Sequence, residues 1–180
     1  MNIAKKLLHW AGWRFDVNVD LPAKCIICVA PHTSNWDFIL GELASRSVGI
    51  KAKFLMKKAW FVFPIGYIMR ALGGIPIDRS HHTNVTTQVA EQFDTSDHLV
   101  VAVTPEGTRS GNDHWHTGFL RIAHQARVPV LLAYIDYPKR LVCIDRVFNP
   151  SDDIDADLNA VKEYYSLHAD AARHPNQFAI

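Results

Sequence analysis

No stretch of this 180-residue chain is apolar for long enough to cross a bilayer. The longest charge-free run, AWFVFPIGYIM at 59 to 69, is broken by Pro64 and Gly66 and falls well short of the roughly 20 residues a spanning helix needs. Cysteine is scarce. Cys25, Cys28 and Cys143 are an odd number, which argues against a disulfide framework and, with no cleavable leader, fits a reducing, cytoplasmic compartment. Cys25 and Cys28 have the spacing of zinc and redox pairs, but KCIICVAP reads as a buried strand, where a three-residue step sends the two sulfurs to opposite faces. An excess of one charge is missing too: 19 Lys and Arg against 18 Asp and Glu leave +1, so no nucleic acid or other polyanion is expected as a partner. Repeats, low-complexity tracts and linkers are absent, and residues 1–180 are expected to form one domain, for which 48% hydrophobic residues supply a core.

The charge that is present is polarised. Between 51 and 79 the bases Lys51, Lys53, Lys57, Lys58, Arg70 and Arg79 face only Asp78, whereas Asp152, Asp153, Asp155, Asp157, Glu163 and Asp170 outnumber Lys162 and Arg173 near the end. In MNIAKKLLHWAGWRF, Ile3, Leu7, Trp10 and Phe15, with Leu8 and Trp13 nearby, form a helical stripe beside Lys5, Lys6 and Arg14. Residues 1–15 thus suit a helix at a lipid headgroup interface or one packed on the core; two tryptophans and paired lysines favour the interface.

β-rich runs and helical stretches take turns along the chain. KCIICVA precedes WDFILGELASRSV; KAKFLM precedes KAWFVF and GYIMRAL; GIPIDR precedes TNVTTQVAEQF; HLVVAVT precedes GFLRIAHQA. VPVLLAYIDY and RLVCIDRVF, separated by PK, read as an antiparallel hairpin, and DADLNAVKEYYSLHADAAR as a last helix. This alternation predicts an α/β fold with a largely parallel central sheet flanked by helices. Ligands of such sheets gather where strands end, which are the places occupied by His32 and Glu106.

In His32-Thr-Ser-Asn-Trp-Asp37 the histidine precedes a helix and the aspartate falls in its first turn, with Ser34 or Asn35 available as a cap. A carboxylate folded back on the imidazole selects one tautomer and favours the imidazolium formed when the ring accepts a proton, as a general base requires. Alone, the pair also reads as a strand-terminal histidine beside an N-terminal aspartate. TPEGTRSG, 104 to 111, adds a tight Pro105 and Gly107 loop with backbone N–H groups free for an anion, the Thr108 and Ser110 hydroxyls, and Arg109 as a forked phosphate donor; its plainer reading is a surface turn with Arg109 paired to Glu106. GGIPIDRS, 73 to 80, brings Arg79 to the same rim. His32 is the one group of this set expected to titrate near neutrality. No Gly-X-Ser-X-Gly elbow exists, since GTRSG sets Ser110 one place too late. The pairs at His81–His82 and His114–His116 lack a third ligand at a recognised spacing, so no metal is expected, and Trp115 and His116 are expected to wall the Arg109 loop.

Together the three stretches resemble the glycerolipid acyltransferase family, which includes bacterial 1-acylglycerol-3-phosphate acyltransferase. Its His-X-X-X-X-Asp, Gly-X-X-hydrophobic-X-Arg and Glu-Gly-Thr-Arg-Ser blocks read here as His32 to Asp37, Gly74 to Arg79 and Glu106 to Ser110, in the same order, across about residues 24 to 135. Pro76 replaces a frequent aromatic, and VPVLLAY keeps Pro129 but has Leu132 where a second proline is common. The resemblance implies acyl transfer from acyl-CoA or acyl-carrier protein to a hydroxyl of a glycerol-phosphate-like or lysophospholipid acceptor, without a cofactor. His32 and Asp37 would be catalytic, Arg109 and Arg79 would hold the acceptor phosphate, and Glu106, Gly107, Thr108 and Ser110 would form the substrate loop. A peripheral protein on the inner face of the cytoplasmic membrane is expected; the longer membrane-embedding helices of many relatives have no counterpart here, so any attachment falls to residues 1–15 and the basic aromatic stretch KKAWFVFPIGY. A thioesterase or lipid hydrolase activating water with the same pair, and a non-catalytic lipid-binding module, are the competing expectations.

Overall fold

The computed structural model describes residues 2–77 and 82–180. The chain opens with α1 (Ile3–Trp10), whose first turn is capped by Asn2 Oδ1 accepting from Lys5 N–H at 2.8 Å. The expected helix over 1–15 is therefore shorter. Gly12 adopts φ +74, a left-handed conformation that ends helices at little cost, and Arg14–Val17 becomes β1, paired in parallel with a later strand. Phe15 accordingly leaves the helical stripe and packs from a strand.

Next come β2 (Lys24–Val29), α2 (Trp36–Ser47), β3 (Lys53–Lys57), α3 (Ile65–Ala71) and β4 (Gly74–Ile77). KAWFVF is not the helix expected of it: one 3₁₀ turn, Lys58–Trp60, precedes Pro64, and only then does α3 begin. Pro76 is accommodated because, among the described residues, β4 is an edge strand paired only with β3, the place in a sheet where a residue without N–H is tolerated. The remainder is α4 (His82–Thr95), β5 (Leu99–Val103), α5 (Gly118–Ala126), β6 (Val130–Asp136), β7 (Leu141–Phe148) and α6 (Ile154–Ser166). The last helix also falls short of its apolar pattern, with Ala169–Ala171 forming a separate turn.

Among the described residues seven strands lie in the order β1-β7-β6-β2-β5-β3-β4, parallel in every pairing except the β6–β7 hairpin. As the sequence predicts, this is an α/β fold with a largely parallel sheet. β2 is central and covered on both sides, which is why KCIICV is apolar at nearly every position instead of alternating. Cys25 and Ile27 meet Leu131, Ala133 and Ile144 on the face covered by α1 and α2; Ile26 and Cys28 join the opposite core with residues of α4, α5 and α6. The two cysteines do point to opposite faces, and burial pushes both thiols up, Cys25 to about 12. Tyr165 of α6 reaches the sheet backbone, donating to the Cys28 carbonyl at 2.6 Å and accepting from Ala133 N–H at 3.3 Å. It thereby ties β2 to β6 just before β2 releases the His32 loop. Among the described residues no helix is long and apolar enough to cross a membrane.

Candidate active site

β2 and β5 are adjacent and parallel, with Cys28 opposite Val103, so the loops leaving their carboxyl ends emerge side by side. The His32 loop and the Glu106 loop meet as fold logic predicts. Asp37, only 4% exposed, is the hub. Its Oδ2 lies 3.0 Å from His32 Nδ1 and accepts the backbone N–H groups of Thr33 (3.0 Å) and Ser34 (2.9 Å), while its Oδ1 accepts the Tyr137 hydroxyl at 2.6 Å. An ionised carboxylate can only accept, so the shared proton belongs to Nδ1 and the neutral ring presents Nε2 as a base. His32, Asp37 and Arg109 all line one cavity of about 1080 Å³, whose walls are largely apolar and include Phe38, Phe54, Met56, Met69 and Ile122.

The second loop is bound to the first twice. Glu106, also 4% exposed, accepts His32 N–H on both carboxylate oxygens, at 2.9 and 3.1 Å. Arg109 Nη1 donates to Asn35 Oδ1. The plainer reading, an Arg109–Glu106 surface pair, is thus replaced by two separate ties across the loops. Asn35 receives the guanidinium instead of capping α2, and Ser34 Oγ takes Trp36 N–H at 3.2 Å. Gly107 needs φ +67, and a Cβ there would lie 2.6 Å from His116 Nε2, so His116 does wall this loop. Trp115 does not: it is buried against Tyr165 and Phe178. The backbone N–H groups expected to be free for an anion are partly used within the loop, Gly107 donating to the Thr104 carbonyl and Ser110 to Thr108 Oγ1. The Thr108 and Ser110 hydroxyls bond each other at 3.1 Å, outside the cavity lining. Arg79 and His81 lie outside the described residues.

A protein-family model described as Acyltransferase matches residues 15–136. The chain belongs to the acyltransferase family. Among solved structures it is similar to the 1-acyl-sn-glycerophosphate (LPA) acyltransferase PlsC of Thermotoga maritima, with TM-score 0.63 and 20% identity over 92% of this chain and 76% of that one. That likeness is one of fold. No match was found among the curated proteins.

Two features of this acyltransferase were invisible to motif reading. Burial raises Glu106 to about 7, with the His32 N–H pulling the other way, so this carboxyl titrates near neutrality, which motif reading does not expect of it. Tyr137 is the other. It stands one residue beyond the family match and 100 positions from Asp37, with no motif to announce it. Burial, then the hydrogen bond to Asp37, raises its phenol and keeps it a donor. Its ring is held edge-on by Trp13 at 5.2 Å and covered by the Arg173 guanidinium at 5.8 Å, while His174 N–H donates to Thr33 Oγ1 at 3.2 Å. The C-terminal segment therefore backs the catalytic-looking loop.

Proposed function

We propose that this acyltransferase moves a fatty acyl group from an acyl thioester, carried by CoA or acyl-carrier protein, to a hydroxyl of a glycerol-phosphate-like or lysophospholipid acceptor. The observation that carries this reading is the His32 ring, tethered at Nδ1 by Asp37, on the wall of an apolar cavity that also holds Arg109. Nε2 takes the acceptor hydroxyl proton, the oxygen bonds to the thioester carbonyl carbon, the C–S bond breaks, and the proton passes to the departing sulfur. Arg109, and Arg79 by the motif resemblance, hold the acceptor phosphate as forked donors. The apolar walls offer room for the acyl chain. The exposed stripe Ile3, Leu7 and Trp10 on α1, beside exposed Lys5 and Lys6, supports contact with a membrane surface, while Leu8 on the other side packs in the core. We place the protein peripherally, on the inner face of the cytoplasmic membrane.

The test is purified protein with a labelled acyl-CoA, with and without lysophosphatidic acid. Acceptor-dependent ester formation, lost in His32→Ala with the fold retained by circular dichroism, is the expected result. Release of free CoA at equal rate without acceptor would instead make the protein a hydrolase.

A further inference from the structure

Between the 3₁₀ turn and the end of α3 the chain turns most of its aromatic residues outward. Trp60, Val62, Phe63, Ile65, Tyr67 and Ile68 are all exposed, Phe63 by 84% and Tyr67 by 73%. Scattered apolar residues on a surface are ordinary, but this many within nine positions are not. The protrusion is also a built shape. Gly66 N–H donates to the Val62 carbonyl at 2.6 Å, and a Cβ on Gly66 would lie 2.5 Å from the Phe61 backbone, so the turn closes only with glycine there. Phe63 and Tyr67 pack edge to face at 6.2 Å, and Arg70 lies over the Phe61 ring at 5.3 Å, holding a cation beside the aromatic surface.

Charge identifies the occupant. From Leu43 to Ile77 the chain contains no acidic residue, and the exposed bases Lys51, Lys53, Lys58 and Arg70 flank the apolar residues. An isologous contact with a second copy would set these cations against their own images, which is unfavourable. An anionic lipid surface satisfies both halves of the pattern, with aromatic rings at the headgroup level and cations above them. Position supplies the purpose, because Met69 of α3 lines the cavity that holds His32.

We propose that the segment 58–71 is a docking surface for an anionic bilayer, which sets the mouth of the cavity against the membrane. The assignment rests on the acyl-transfer reading for its purpose and not for its physics.

The experiment uses the full chain and extruded vesicles of phosphatidylcholine alone or mixed equally with phosphatidylglycerol. Wild type sediments with the mixed vesicles and much less with the neutral ones, and Trp60→Ser/Tyr67→Ser weakens that binding by about tenfold or more. Its turnover on a short-chain, monomeric acceptor stays unchanged, since neither side chain lines the cavity. Trp60→Phe provides a gentler check: brominated lipid quenches a tryptophan component in wild type that this variant lacks. Undiminished vesicle binding by the double variant, no Trp60 quenching, or loss of a concentration-dependent dimer instead of vesicle binding would overturn the assignment. Vesicle binding through the segment without acyl transfer to any acceptor would sink the proposed function and leave the docking surface standing.

Discussion

Four donors converge on the Asp37 carboxylate, and in the proposed reaction only the His32 ring among them changes charge. The Tyr137 hydroxyl shares the negative charge that would otherwise bear on the imidazole. Tyr137→Phe is therefore expected to leave Asp37 a stronger partner for imidazolium, moving the acid limb of the kcat/KM profile to higher pH. Turnover at neutral pH should fall by on the order of tenfold, the scale of one lost hydrogen bond to a charged group. A tyrosine with a purely structural role would lower the melting temperature and leave the limb in place. Glu106 makes a second residue-scale prediction through stability. Its carboxyl binds a proton more tightly when folded, about 7 against 4.5, so its contribution is fully present below about 4.5 and disappears as pH rises through about 7. Urea unfolding of wild type against Glu106→Gln across this window should show wild type losing ground by on the order of 3 kcal/mol, then no further change above it. A flat difference would mean the buried carboxylate is better solvated than its surroundings suggest.

Among the elements, β2 and α6 form the pair that most directly supports the site. The Tyr165 hydroxyl bonds the Cys28 carbonyl and Ala133 N–H, and Ala30 N–H completes the edge by donating to the Ala133 carbonyl at 3.3 Å. Removing that hydroxyl leaves buried backbone groups without a partner. Tyr165→Phe is expected to cost about 1–3 kcal/mol in chemical denaturation while lowering activity less than Tyr137→Phe does. The two helices at the ends of the sequence pattern teach the same lesson from opposite sides. α1 stops at Trp10 because a positive φ is available just beyond, at Gly12, and the free edge of β7 competes for Arg14–Val17; α6 stops at Ser166 although apolar periodicity continues. Local periodicity says where a helix can form, and tertiary partners decide where it ends.

Across the whole molecule, the strand order brings two distant loops together. Because β5 returns to lie between β2 and β3, Arg109 reaches Asn35 and the cavity that His32 borders. Arg109→Ala should raise KM for a phosphorylated acceptor by about ten- to a hundredfold, with the KM for the acyl thioester nearly unchanged, in steady-state kinetics varying each substrate in turn. Equal effects on both substrates would remove the arginine from the acceptor side. By itself the sequence determined the alternation of strands and helices, the opposite facing of Cys25 and Cys28, and the approach of His32 to Asp37, because each depends on residues a few positions apart whose relative placement is set by backbone geometry. Only the tertiary structure decided that Glu106 holds the His32 backbone and not Arg109, that Tyr137 bonds Asp37, and that the apolar stripe of α1 and the rings of Trp60, Phe63 and Tyr67 face outward. Those contacts join residues separated by tens of positions, or depend on which surfaces the packed core leaves uncovered, and neither spacing nor composition carries that information.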